Sequence, residues 1–294
     1  MKCIDMKLIV TAATLALGVG LAQAGPVILG GDDLTDHGSR SGGVNLQGWL
    51  YIEKAVSNVL AGATRSGTIT TDIVALGAAA NPTFTGGNAG GAIGSAANVL
   101  GKTVLYVDGA AAINQFFADL ASGIVNPDML WFSGTGAVNN LDASEGAALT
   151  ANAAAINAFG ASGGGIMAHG SGSTAYGWLS ALLPGLNEVG GCNSTGATLT
   201  AAGNAAFPGL SNSNIDGNAG PCHSSFIGNF GGLTTLAFDG NQRSYIIGGG
   251  AGTVIQCGQA GQPACPTPEP ASLPLIAIAG LAMGMVGLRR RKAK

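Results

Sequence analysis

The chain has 294 residues, 51 of them glycine, only 9 % charged, and a formal net charge of −3. Between residues 25 and 268 there are five basic side chains against thirteen acidic ones, a balance of −8. No basic footprint for a nucleic acid exists there, so nucleic-acid binding is excluded. About 240 residues lie between the two hydrophobic ends, enough for one sizeable core or for two smaller domains.

Taken in chain order, the first element is a secretory signal over residues 1–24. Lys2 and Lys7 form a positive start, Leu8 to Leu21 an apolar stretch, and Ala22-Gln23-Ala24 a cleavage site for signal peptidase. The stretch is short for a retained anchor, since a span needs about 20 residues. Residues 25–257 then alternate short apolar runs with stretches at helical spacing. Strands are predicted at Val27–Leu29, Asp72–Leu76, Thr103–Val107, Met129–Phe132 and Gly165–Ala168. Helices are predicted at 46–60, 90–100, 111–120, 142–159 and 175–183, with Asp142 or Ser144 capping the longest of them.

Strand and helix in alternation predict an α/β fold, a doubly wound, mostly parallel, flavodoxin-like sheet. After Pro184 the pattern changes to a Ser/Asn-rich region. Three further strands, at 233–238, 245–248 and 253–255, are predicted to form a C-terminal β-hairpin extension joined by turns such as Asp239-Gly240-Asn241. Four cysteines remain after signal removal, and four allow three pairings. Cys192–Cys222 and Cys257–Cys265 are favoured because each closes a loop rich in Gly, Asn, Ser and Pro, and an oxidising compartment permits both. Without a C-x-x-C pair, a metal role for them is disfavoured. Trp49, Trp131 and Trp178 are expected to pack in the core or at its edge.

Residues 258–267 read as a linker. The end of the chain, 268–294, holds Pro268-Glu269-Pro270, a hydrophobic helix at 272–288, and the cluster Arg289-Arg290-Arg291-Lys292. The apolar run from Leu273 to Leu288 reaches about 24 Å as a helix, short of the roughly 30 Å hydrocarbon core; its basic end fits the positive-inside rule. Triplet, minimal span and basic end, in that order, resemble the PEP-CTERM sorting signal of Gram-negative bacteria. The resemblance implies that an exosortase, an integral-membrane cysteine protease, cuts near the triplet after transient anchoring in the inner membrane. It further implies a final location at the cell surface or in the extracellular matrix, associated with exopolysaccharide or biofilm. A permanent C-terminal anchor is the alternative.

In a doubly wound sheet, ligands bind beyond the carboxyl ends of the strands. Those ends carry Asp32, Asp33, Asp36 and His37; Asp108; Ser133 and Thr135; and His169 and Ser171. Gly and Asp are also ordinary turn residues. The stretch GGGIMAHGSG (163–172) resembles the nucleophile elbow of class I glutamine amidotransferase-like proteins, including the protease/chaperone branch with Cys-His-Gly at that point. Ala206-Phe207-Pro208-Gly209-Leu210 is similar to a loop that follows the elbow in some relatives. The family's nucleophilic cysteine falls on Ala168, whose methyl group cannot attack a carbonyl. This departure implies lost chemistry or another nucleophile.

Two readings follow. The first is a non-catalytic α/β binding domain, exported and sorted. The alternative is a secreted serine-type hydrolase with Ser171 as nucleophile and His169, His37 or His223 as base, oriented by Asp32, Asp33 or Asp36. No cofactor is expected from any motif. The oxygen-rich group Asp32, Asp33 and Asp36 is a candidate for Ca²⁺ or Mg²⁺, although its spacing departs from a D-x-D-x-D-G loop.

Overall fold

The computed structural model describes residues 25–249, apart from 85–86, 137–139 and 217–219. The signal at 1–24, the strand expected at 253–255, Cys257 and Cys265, the linker and the tail with Pro268, Glu269, Pro270, Arg289, Arg290 and Arg291 lie outside the described residues. Among the described residues no helix is long and apolar enough to cross a membrane.

The chain enters at β1 (Val27–Gly30), makes a small hairpin of β2 (Gly38–Ser41) and β3 (Val44–Gln47), and continues into α1 (Gly48–Gly62). It then alternates: β4 (Thr71–Leu76), α2 (Ala89–Leu100), β5 (Val104–Val107), α3 (Ala110–Ser122), β6 (Pro127–Phe132), α4 (Ala143–Ala151), α5 (Ala153–Ala161) and β7 (Gly165–Ala168). Two short helices follow, α6 (Gly172–Tyr176) and α7 (Leu179–Leu182), then β8 (Leu186–Gly190), β9 (Thr198–Leu199), α8 (Ala201–Ala206), β10 (Ser224–Gly228), β11 (Thr234–Phe238) and β12 (Ser244–Gly248).

One sheet runs in the order β5-β4-β6-β7-β1-β12-β10-β8, with β11 pairing β12 and β9. The five strands β5, β4, β6, β7 and β1 are mutually parallel. From β12 onward the pairing is antiparallel. The connections from β1 to β4 and from β4 to β5 travel one way along the sheet, and those from β5 to β6 and β6 to β7 travel the other. Right-handed crossovers therefore put α1 and α2 on one face and α3, α4 and α5 on the opposite one. The core divides accordingly. Ile28, Ile73, Met129, Trp131 and Met167 pack under α1 and α2, while Val27, Leu29, Val74, Leu130 and Ile166 pack under α3 to α5. Burial on both faces is why these strands read as unbroken apolar runs.

The architecture is the expected flavodoxin-like α/β type, with four corrections. In a flavodoxin-like sheet the order is 2-1-3-4-5. Here β4 to β7 take the first four slots, but the fifth is filled by β1, the first strand of the chain. The expected hairpin after Pro184 forms, β11 pairing antiparallel with β12 across the Asp239 turn, but it is not an appended extension. The strands there continue the main sheet, and β12 lies antiparallel along β1, covering an edge that would otherwise expose unpaired backbone. The helix expected at 46–60 begins at Gly48, because Gln47 holds φ 55 and cannot extend a right-handed helix. Leu46 belongs instead to the β2–β3 hairpin, whose Gly42-Gly43 turn has φ 58 and 86, a pair of values that suits two glycines. Finally, the long helix at 142–159 is broken at Asn152 (φ −98, ψ 15), whose side-chain amide donates to Ala148 O and to Asn114 Oδ1. Such side chains compete with the helical ladder. Its start is as expected: Asp142 and Glu145 form a reciprocal capping box.

The parallel edge is pinned by Asp72, which accepts bonds from the Thr103 backbone N–H (2.8 Å), Lys102 Nζ (2.9 Å) and the Thr103 hydroxyl (2.8 Å). Burial alone would raise the Asp72 pKa, but these donors outweigh it and the pKa is lowered. A depressed folded-state pKa gives stability that is present above the unfolded value of about 3.9 and lost as pH falls through the folded value. Asp72→Asn is therefore expected to cost about 1.5 kcal/mol at pH 7, with the gap to the parent chain shrinking at pH 3. Urea midpoints at both pH values check this, and a gap independent of pH would refute it.

Candidate functional site

The carboxyl ends of β1, β6 and β7 meet at a buried side-chain chain. After β1, Gly30-Gly31 leads into Asp32, and after β7 comes His169; both are fully buried. His169 Nδ1 lies 2.7 Å from Asp32 Oδ1, which also accepts the Leu34 N–H at 3.1 Å. On the other side of the ring, Trp131 from β6 donates its indole N–H to His169 Nε2 at 3.2 Å. An indole nitrogen can only donate. Nε2 must then carry the lone pair, and the ring proton sits on Nδ1 facing Asp32. The Tyr176 hydroxyl joins the same strand ends, donating to Gly30 O at 2.7 Å and Ala168 O at 3.2 Å. Burial first, and then the nearby Asp32 charge, push the hydroxyls of Tyr51, Tyr176 and Tyr245 well above the usual range for tyrosine, so they stay protonated.

Asp33 points the other way. Successive side chains of an extended segment alternate in direction, so Asp32 and Asp33 serve different neighbourhoods. Segment 221–224 runs alongside: Asp33 N–H donates to Pro221 O (2.9 Å) and His223 N–H to Gly31 O (2.8 Å). This brings His223 Nε2 to 2.6 Å from Asp33 Oδ2. The bond to Asp33 raises the His223 pKa against the opposing effect of burial. His37 Nε2 sits 3.3 Å from Asp33 Oδ1 and 3.3 Å from Asp36 Oδ1. Burial, then the Asp33 charge, raise the Asp36 pKa. Asp36 and His37 line a cavity of about 220 Å³, with Gln47, Asn214, Asp216 and Pro221 among its other walls. The segment that builds those walls is closed by a Cys192–Cys222 disulfide, Cα–Cα 5.8 Å, the pairing favoured from loop composition.

The remaining strand-end residues do not join either group. Asp108 is exposed. Ser133 is buried and donates to the carbonyls of Leu76 and Gly77. Thr135 forms an isolated bridge with Leu141. Ser171 precedes α6, and its hydroxyl makes no hydrogen bond to any of the described histidines.

Comparison with protein-family models, curated proteins and solved structures returns no match. What the site can do follows from its own groups. A nucleophile elbow holds its reactive residue on a strained strand-to-helix turn. Here Ala168 is a buried methyl at ordinary φ, and the turn is made by Gly170 (φ 101) and Gly172 (φ 69). Both His169 nitrogens are engaged inside the core, which leaves no lone pair to accept a proton from Ser171. The inner trio Asp32–His169–Trp131 ties three strands together. The outer trio Asp33–Asp36–His37 borders a cavity and has the makings of a binding site.

Of the sequence-derived candidates, the structure groups Asp33, Asp36 and His37 and separates Asp32 from them. One participant was not legible: Trp131 reads as core packing, which it also is, and nothing marks its indole as the partner of His169. His223 was named as a candidate base, but its pairing with Asp33 was not legible; its place next to Cys222 was the one hint that a covalent tie fixes its position.

Proposed function

We propose that this chain is an exported, exosortase-sorted protein of the cell surface or exopolysaccharide matrix whose α/β body binds a ligand and does not perform acyl transfer. The observation that carries the second half is the end of β7. There, Ala168 fills the nucleophile's place and the adjacent His169 is held by Asp32 and Trp131 with no access to solvent. The first half is supported by the order of signal, body, Pro268-Glu269-Pro270, hydrophobic segment and arginines. The disulfide adds to it, since such bonds persist in oxidising compartments. Kinship with class I glutamine amidotransferase-like domains is part of the same proposal. It is supported by the His169-Gly170 turn after β7, while the placement of β1 departs from a flavodoxin-like order.

Two measurements test it. In a Gram-negative host carrying an exosortase, the chain is expected to lose its tail, and Pro268→Ala with Pro270→Ala to retain it; equal tail masses would end the sorting reading. A fluorophosphonate probe is expected to leave the folded protein unlabelled, and stoichiometric modification of Ser171 would restore the hydrolase.

A further inference from the structure

We propose that Asp33, Asp36 and His37 form a site for a divalent cation of the zinc type, at the wall of the cavity beside β1. The inference supplies a ligand class for the binding reading above and rests on it to that extent.

Three features of the group point to a cation. The Oδ1 atoms of Asp33 and Asp36 are both shielded from solvent, and neither receives a hydrogen bond. Asp33 is only 8 % exposed. A dry carboxylate oxygen without a donor is costly unless something positive meets it; among the described residues neither aspartate has a lysine or arginine partner, and only the imidazoles of His37 and His223 approach them. The two oxygens instead converge on His37 Nε2, at 3.3 Å each, and all three atoms lie within 4.8 Å of one another. That separation is beyond the range of a good N–H···O bond. It does fit one edge of a tetrahedron around zinc: with metal–ligand bonds of about 2.0 Å, neighbouring ligands stand about 3.3 Å apart. The second oxygen of Asp33 is occupied by His223 at 2.6 Å, the kind of outer hydrogen bond that orients a metal-binding carboxylate.

The donor set also selects the ion. Ca²⁺ and Mg²⁺ are hard cations that take oxygen ligands, whereas one imidazole nitrogen with two carboxylates suits zinc and its neighbours. The structure thus replaces the Asp32, Asp33 and Asp36 set, read from sequence as a Ca²⁺ candidate, by a set in which His37 takes the place of Asp32. Asp36 and His37 both face the cavity, so a fourth coordination position would open there toward a water or a small anionic ligand.

The test uses the full chain without a polyhistidine tag, stripped of metal, and competed against a chromophoric chelator for Zn²⁺. One saturable site is expected, indifferent to millimolar Ca²⁺. His37→Gln, a change at a partly exposed side chain, is expected to weaken it by about tenfold or more, and Asp36→Asn to do likewise. Co²⁺ provides a second readout, because tetrahedral coordination gives visible absorption that should vanish in His37→Gln. No saturable Zn²⁺ binding, equal binding by the variants, or displacement by Ca²⁺ would each overturn the site. Any of these leaves the probe-labelling and tail-mass results unaffected, so the two readings fail separately.

Discussion

Replacing His169 by alanine is expected to destabilise the domain by about 4 kcal/mol, the largest single-residue effect outside the apolar core. The change strips the Asp32 carboxyl of its 2.7 Å partner in a fully buried position and leaves it only the Leu34 N–H. It also removes the acceptor for the Trp131 indole and opens a void where the ring stood. Breaking a buried polar pair from one side costs about 3–5 kcal/mol, and each donor or acceptor orphaned in the interior adds a desolvation penalty of about 1–3 kcal/mol. Relaxation around the void offsets part of the sum. Asp32→Asn is the informative contrast. An amide oxygen can still accept from His169 Nδ1 and from Leu34, so the expected loss is about 1 kcal/mol. Urea denaturation of the two variants distinguishes the cases. If His169→Ala lost less than about 1 kcal/mol, the trio would not be holding the strand ends together.

Cys192→Ser with Cys222→Ser is expected to cost about 3.5 kcal/mol. The bond links residues 30 apart in sequence, and restricting an unfolded loop of that size is worth about that much in the chain-entropy account. The double variant is a sharper instrument than a reductant, because it removes this bond and touches no other cysteine. Equal urea midpoints for parent and variant would show that the crosslink contributes nothing. A subtler consequence concerns the cavity. Asn214, Asp216 and Pro221 all lie within the closed loop, and Pro221 is the residue that receives the Asp33 N–H. The variant should therefore show faster amide exchange at Asp33 than at β4 or β6.

Much of the parallel core could be read directly. Gly165–Ala168 was a continuous apolar run, and a strand covered on both faces must look like that. Asp142 with Glu145 three residues on is a capping pattern visible without coordinates. The Cys192–Cys222 pairing was legible from loop composition. The β2–β3 hairpin was not, because Gly38–Ser41 is polar and partly exposed and carries no apolar alternation; only Gly42-Gly43 marks its turn. Strand order was illegible for a different reason. Which strand fills the fifth slot is decided by crossover packing, not by any local run of residues, and β12 could pair with β1 only after the whole chain had turned back on itself. The candidate site shows the same division. The types and neighbourhood of Asp33, Asp36 and His37 were evident, but Asp32 was grouped with them because it is adjacent in sequence. The alternation of an extended backbone sends it to a histidine 137 positions away.

The placement of β1 has a consequence for how the molecule comes together. Its neighbours on either side, β7 and β12, begin at residues 165 and 244, so the earliest part of the body to be synthesised is among the last to find its seat. Pairings between distant segments close slowly, and domains of this size pass through partly collapsed species on the way. The sheet stays split until almost the entire body has emerged. On the proposed route across a membrane, such late pairing would leave the polypeptide threadable while it crosses, and the joining of β12 to β1 would complete the sheet on the far side.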